Sequence, residues 1–572
     1  MFTRKKGVPM DDFYSAKPWL RHYDPDVAPE LDYPKISYAE YLREAFSKVP
    51  DRVALYYMGK GITYRELDEL SNRFAHFLVR NGCTPGDFVA VNLPNIPACF
   101  ISLIGIQKAG CVYQGLSPLL TAEEFEYQLN DSGTRFVVTI DLLFDKFKAT
   151  LQNTGVRWAL VTSIADYMPV MKKIPGLLLK KIPTGKIHPL PVIKVVRFQE
   201  MLKGMSGDSI LVKVDPQSPC IMVYTGGTTG KPKGALLSQS NLVNHMIQNN
   251  AWYNFNKWNE TTLCPYPMFH MAGCFISMGH FSIGSSYILI PNPRDMKFTI
   301  SLIKKHKPTS IIAVPTIYIE LMKYKEFCSL DLSNVNYYLS GSAPFPAETI
   351  KQFEKLVGGT IIETYGLTET TTCVAAPPVK GKRKVGSVGV PISDTEIKIL
   401  DPETGALMPA GEPGEVVVKG PQIFTGYHRQ SEETANALNN GWFRTGDVGT
   451  MDEEGYLYIV DRIKDMVNVS GFKVFTRVVD EVLLEHTDIA MAATVGLPDP
   501  RRPGSEIVAS AIVLKPDREG NDTMRADIIS FLESKLAPYK IPKRIEFLDQ
   551  LPLSTVGKIL KKDLRKIMAG SA

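Results

Sequence analysis

At 572 residues, with 44% hydrophobic and 22% charged content, the chain is too long for one core and has the balance of a globular protein. Its best apolar stretch, 98–106, falls well short of the ~18 residues needed to cross a bilayer, so no spanning helix is expected. The net charge of +5 comes from one region: Lys172, Lys173, Lys180, Lys181, Lys186, Lys194 and Arg197 have no acidic residue among them, and the rest of the chain is slightly acidic. Global charge therefore gives no reason to expect a nucleic-acid partner.

In chain order, 50–160 alternates short apolar runs with helical patterns. Strands are predicted at 88–92, 111–115 and 136–140, a helix at 97–109, and another at 121–129 with Thr121 as N-cap. Such alternation implies parallel sheets covered by helices, an α/β architecture. The basic segment 172–199 interleaves lysines with Ile174, Leu177, Leu178, Leu179, Ile182, Leu190, Val192 and Ile193. That mixture suits an anionic membrane surface. Pro175, Pro183, Pro189 and Pro191 break any long amphipathic helix, however, and a loop or short helix packed by its own leucines is the simpler expectation.

The α/β pattern resumes with a strand at 221–224, a loop, a helix at 240–253, and strands at 310–314 and 337–340. From about 386, glycine turns and short strands predict a β-rich subdomain. A second change of texture falls within 461–465. Beyond it, a helix near 477–485, strands at 491–495 and 508–513, and a helix near 524–536 predict a small α+β unit. The expected division is 1–461 and 462–572. Met1 to Lys6 is basic but has no apolar core behind it, so no secretory signal is expected. The eight cysteines lack metal-ligand or disulfide spacing and are expected to be reduced and mostly buried, which points to a cytoplasmic location.

The densest chemistry is Tyr224-Thr225-Gly226-Gly227-Thr228-Thr229-Gly230-Lys231-Pro232-Lys233-Gly234. Glycines let a backbone bring several N–H groups to one ligand, while hydroxyls and lysines add donors and charge, the composition of a polyphosphate-binding loop. A Walker A loop is excluded, because Gly226 and Gly230 are three residues apart and Pro232 stands where a Ser or Thr would hold magnesium. Further along come Ser340-Gly341-Ser342-Ala343-Pro344, Glu363-Thr364-Tyr365-Gly366-Leu367-Thr368-Glu369, Trp442 to Asp447, Tyr458 to Asp465, and Pro552-Leu553-Ser554-Thr555-Val556-Gly557-Lys558. Small residues admit a flat ligand, an aromatic ring can stack, a hydroxyl can donate to phosphate, and a carboxylate suits a hard cation.

In this order these motifs resemble the adenylate-forming superfamily of acyl-CoA synthetases, luciferases and peptide-synthetase adenylation domains. The Gly226-Gly227 form looks most like the medium- and long-chain fatty acyl-CoA synthetases. The resemblance covers nearly the whole chain and implies a large nucleotide-binding domain followed by a small mobile one. It further implies ATP, magnesium and CoA as cofactors, with a carboxylic acid as the other substrate. Thr225, Gly226, Gly227, Thr228, Thr229, Gly230 and Lys233 would cradle phosphates. Gly341, Ser342 and Ala343, with Glu363, Thr364, Tyr365, Gly366 and Leu367, would wrap the nucleotide. Thr368 would contact the α-phosphate and Glu369 hold the metal. Asp447 would take the ribose hydroxyls with help from Arg462, Lys464 would be the hinge, and Lys558 the mobile catalytic lysine. The segment Ser470-Gly471-Phe472-Lys473 would meet CoA after the small domain turns.

The acid follows from two positions. Amino-acid-activating relatives carry an Asp where His270 stands, and acetate-specific ones a Trp where Gly366 stands. With His270, Gly341 and Gly366 at the acyl site, the resemblance implies a medium- or long-chain fatty acid, or a cyclic or aromatic carboxylate. No carrier-domain motif follows Lys558. Two rivals remain at this stage: a ligase that passes its adenylate to a carrier protein, and a non-catalytic fatty-acid-binding or transport protein of the same fold. Peripheral contact of 172–199 with the inner membrane face is the further expectation.

Overall fold

The computed structural model describes residues 10–226, 231–554 and 558–570. Two large sheets organise the N-terminal part. The eight-stranded one runs in the order Gly426–Tyr427, Lys233–Ser238, Pro219–Thr225, Val112–Gly115, Phe88–Asn92, Phe136–Ile140, Trp158–Thr162, Lys194–Arg197. It is parallel except where Lys233–Ser238 turns back on Pro219–Thr225 and pairs with Gly426–Tyr427. In the seven-stranded sheet, Ile361–Glu363, Tyr337–Ser340, Ser310–Ala313, Thr261–Leu263, Ser286–Ile288 and Val53–Tyr57 are parallel, closed by the antiparallel strand Lys60–Thr63.

The helix Pro97–Lys108 joins the two sheets. It is apolar all round, and every residue of it is buried, as a helix with two packed sides requires. Phe100 meets Tyr287 of the seven-stranded sheet, ring centroids 5.6 Å apart, while the Gln107 amide donates to the Cys220 carbonyl of the eight-stranded sheet. Local sequence starts the helices where expected. Thr121 accepts from the Glu124 N–H and Glu124 returns the bond, a capping box at the head of Ala122–Ser132.

An antiparallel sheet of Glu396–Leu400, Gly414–Lys419, Trp442–Met451 and Leu457–Arg462 follows, with short Leu438–Asn439 at its edge. Past Arg462, the strands Ile489–Pro498, Glu506–Leu514 and Arg544–Phe547 carry the helices Thr476–Leu484 and Asp522–Glu533 over their own core of Val479, Leu483, Val508, Ile512, Ile528 and Leu532. The joint is gripped from the first side: the Asp461 carboxylate accepts the Thr476 hydroxyl at 2.8 Å and its N–H, capping the first small-unit helix.

Strands the sequence analysis did not predict include Trp158–Thr162, Lys194–Arg197, Thr261–Leu263, Ser286–Ile288 and Lys233–Ser238. The last lies between the glycine-rich segment and the following helix and pairs antiparallel with Pro219–Thr225. The segment 172–199 is not packed by its leucines as expected: in the helix Val170–Leu178 no residue is buried and Leu178 and Leu179 are 77% and 65% exposed, and only its later part, Ile187, Leu190 and Ile193, meets the core.

Candidate active site

The strand pairing sets one wall. Trp442–Met451 and Leu457–Arg462 are antiparallel with Asp447 opposite Arg462, so the two side chains meet across the ladder. Arg462 Nε lies 2.9 Å from Asp447 Oδ1, and the Tyr365 hydroxyl donates to Oδ2 at 2.8 Å. Asp447 is buried, and a buried carboxylate with two donors is held in one orientation. Asp447 pushes the Arg462 guanidinium further up, so it stays charged, and burial raises the Tyr365 phenol well above its ordinary range, so it stays a donor. The ring of Tyr365 is thereby fixed as a flat surface beside the carboxylate.

Next to this wall, Thr368 and Glu369 sit in a single 3-10 turn, Thr368–Thr370. Glu369 is buried and its Oε1 accepts from the Tyr427 hydroxyl at 2.9 Å, leaving Oε2 for another partner. Lys233 stacks its ammonium over the Tyr427 ring, 5.2 Å from the centroid, and pairs with Glu433. Thr225 and Lys233 are the last paired residues of the two antiparallel strands, Gly226 follows, and Gly227, Thr228, Thr229 and Gly230 lie outside the described residues. Lysine 233 thus reaches the glutamate through one tyrosine. Among the described residues no group of three His, Cys, Asp or Glu could hold a metal alone. Magnesium dehydrates reluctantly and takes most of its shell from phosphate and water, so one carboxylate such as Glu369 would be enough to place it.

Lys558 closes the site. It lines one cavity together with His270, Gly341, Ser342, Thr364, Gly366, Leu367 and Thr368. Ser554 and Lys558 exchange hydrogen bonds at 2.7 and 3.0 Å, and Leu553 pairs antiparallel with Ile559. Burial, and then Arg462, lower the Lys558 ammonium to about 8, with Asp447 and Glu369 opposing. The tail's other lysines are elsewhere: Lys561 is bound to Thr476 and Asp480, and Lys566 to Asp563. His270 caps the helix Met271–Ser282 through Nδ1, and burial, with Lys558 nearby, lowers it to about 3, so it is neutral.

Glycine matters twice here. A Cβ on Gly341 would stand 2.7 Å from the Thr364 hydroxyl, so two loops pass too closely for a side chain. Beside it Ser342 holds φ of 69°, a left-handed backbone uncommon for serine. Gly366 lines the cavity as expected, but a Cβ there would meet the Thr372 carbonyl at 1.3 Å. The direction of a side chain at 366 is into backbone, so the open pocket is not the simple absence of a Trp; this position must be glycine for Thr372 to pass.

Several expected residues stand apart from the cavity. Glu363 is buried against the Phe345 N–H, and burial raises its carboxyl to about 7. Ala343 is half-buried on the same loop as Ser342 but does not line the cavity. Lys464 lies in the 3-10 turn Ile463–Asp465 directly after Arg462, and burial lowers its ammonium. Ser470 and Gly471 form the tip of a hairpin, with φ of 51° and 93°. Phe472 stacks on Tyr539 at 4.8 Å and Lys473 pairs with Glu403 at 3.0 Å; neither reaches the cavity.

The sequence missed other contributors. Tyr427 is 58 residues from Glu369, with nothing local to link them. Tyr266 donates to the Gly341 carbonyl at 2.9 Å and steadies that turn. Beyond His270 the cavity runs between the helices Gln239–Tyr253 and Met271–Ser282, along Phe275, Ile276, Ile312 and Leu339, and a second cavity continues it to Phe255, His280 and Ile283. Phe275 and Ile276 follow Met271 and Ala272 by one helical turn, the one signal that could have placed them.

Fold and site together set a wall of interlocked side chains, Tyr365, Asp447 and Arg462, beside a cavity that Lys558 lines from the C-terminal part. The AMP-binding enzyme model matches residues 42–428 and the AMP-binding enzyme C-terminal domain matches 478–558. The chain belongs to the AMP-binding enzyme family. A long-chain-fatty-acid–CoA ligase of Bacillus subtilis (strain 168) is 38% identical over 557 residues, 96% of this chain and 98% of its own length. A ligase of the same name from Escherichia coli O6:H1 is 34% identical over 559 residues, again 96% and 98%. ATP-bound MatB from Rhodopseudomonas palustris superposes with a TM-score of 0.81 at 27% identity, over 92% of this chain and 98% of that one. The apo form of MatB superposes with a TM-score of 0.71, over the same 92% of this chain.

Proposed function

We propose that this chain is an AMP-forming acid–thiol ligase that activates an apolar carboxylic acid with ATP and passes the acyl group to CoA. One observation carries this most: Lys558, Thr368 and the Gly341–Ser342 turn line one cavity that continues as an apolar channel between two helices. The polar end suits an adenylate and the apolar end an acyl chain.

In the first half-reaction a carboxylate oxygen attacks the α-phosphorus of ATP and the α–β phosphoanhydride bond breaks, releasing pyrophosphate. A carboxylate is already ionised at neutral pH, so no general base is needed. Asp447 and Arg462 orient the ribose side, Tyr365 supplies the flat surface, and Thr368 and Lys558 donate to charge developing on the phosphoryl oxygens. Glu369 would hold magnesium, which when bound neutralises phosphate charge. In the second half-reaction the CoA sulfur attacks the acyl carbon, the thiol proton is lost and AMP leaves. The Ser470–Lys473 hairpin, exposed in this arrangement, is available to that step after rotation about Lys464.

The acid is medium- to long-chain, as the names of the relatives and the apolar channel both favour. Cytoplasmic ATP and CoA would serve the enzyme. Contact of 172–199 with the inner membrane face suits a ligase whose acid dissolves in lipid. A panel of linear, cyclic and aromatic acids assayed for CoA-dependent AMP formation tests this. The proposal requires thioester product and a rise in kcat/KM with chain length, at most about 0.8 kcal/mol for each buried methylene. Release of acyl-adenylate without thioester would overturn it.

A further inference from the structure

The helix Val170–Leu178 is amphipathic in the wrong sense for a surface helix of a globular protein. At about 100° per residue, Val170, Met171, Ile174, Leu177 and Leu178 fall in one arc, while Lys172, Lys173 and Gly176 fall opposite. The lysine side rests on the protein: Lys172, though exposed, donates to the Met58 carbonyl at 3.2 Å, and Lys173 is half-buried. The apolar side faces out, with Met171 89%, Leu178 77% and Val170 66% exposed. The helix Tyr64–Arg80 of the same chain does the reverse, burying Leu67, Phe74 and Leu78. An outward apolar stripe is costly in water unless something covers it.

Charge names the cover. Leu179 extends the apolar arc past the helix end at 65% exposure, and Lys180, Lys181 and Lys186 follow it, all exposed. A ring of cations beside an apolar ridge matches a surface that is anionic outside and apolar beneath. Nine residues are too few to span a bilayer, and among the described residues no helix is long and apolar enough to cross one. We infer that the helix Val170–Leu178 and the turn after it insert into the outer layer of an anionic lipid bilayer, lying in its plane with Lys180, Lys181 and Lys186 at the headgroups. This gives a mode to the membrane contact proposed above and does not depend on the ligase activity. Tethering there would place the enzyme where a lipid-soluble acid is most concentrated.

The test is flotation of the full chain with vesicles of phosphatidylcholine alone or mixed with phosphatidylglycerol, for the parent, M171E/L178E and K180E/K181E. All three should melt alike and turn over a short water-soluble acid alike, since no substituted residue touches the cavity. The parent should float with the mixed vesicles. M171E/L178E should lose at least about ten-fold in partitioning, and K180E/K181E should lose several-fold at low salt and less at high salt. A parent that stays with the soluble fraction, or an M171E/L178E protein that floats like the parent, overturns the inference. So does a concentration-dependent dimer that M171E/L178E abolishes, which would mean that a second copy covers the helix. Loss of short-acid turnover in the parent would instead speak against the ligase and leave the flotation result standing.

Discussion

The two sides of the candidate site are held in different ways. On the large part, Asp447, Arg462 and Tyr365 are fixed by strand register and by each other, and Glu369 by Tyr427. On the small part Lys558 is tied to Ser554 through its backbone, and no hydrogen bond or ion pair to its ammonium holds it in place among the described residues. A preorganised wall costs no reorganisation during reaction, while a donor with no protein partner can leave when its work is done. The contrast teaches that the wall should serve both half-reactions and the lysine only one.

The largest effect expected is from Lys558→Ala. Losing one aimed donor costs roughly 3 kcal/mol, about two orders of magnitude in adenylate formation. Thioester formation from supplied acyl-adenylate should be nearly unchanged; equal losses in both would break the contrast.

Asp447→Asn tests the wall. A hydrogen bond to a charged group contributes about 1.5–3 kcal/mol, so roughly ten-fold or more should be lost, and from both half-reactions alike. Stopped-flow measurement of each step would read this; a loss confined to one step would remove Asp447 from the shared wall.

Lys464→Pro locks φ at the position proposed to turn. Adenylation should survive and the thioester step fall, because the present arrangement already has Lys558 in the cavity. Parent-like rates in both steps would move the hinge elsewhere.

The smallest effect expected is a pH profile. The Lys558 ammonium is lowered to about 8, so the charged form it needs as donor is present below that value and lost as pH rises through it. Adenylation at subsaturating ATP should therefore decline above about pH 8, whereas the thioester step should not. The penalty on bringing charged Lys558 into the site is likewise fullest below about 8 and fades toward its ordinary range, so phosphate binding should relieve it. Lys558→Arg should flatten the decline, since a guanidinium stays charged. A decline that persists in Lys558→Arg would assign it to another group.

Much of this was legible from residues alone. Alternating apolar runs placed strands such as 88–92 and 136–140 and the capping signal at Thr121 with little error, because backbone periodicity and local hydrogen bonds need no distant partner. Motif order named Thr368, Glu369, Asp447, Arg462 and Lys558, and the tail context singled out Lys558 from Lys561 and Lys566. What the sequence determined by itself was therefore the element pattern and the types of group gathered at the candidate site. Tertiary structure alone decided which groups hold them. Tyr427 reaches Glu369 across 58 residues, Thr372 forbids any side chain at Gly366, and the leucines after Val170 point outward rather than in. Each of these depends on which surface lies opposite, and a sequence read one segment at a time carries no record of its opposite surface.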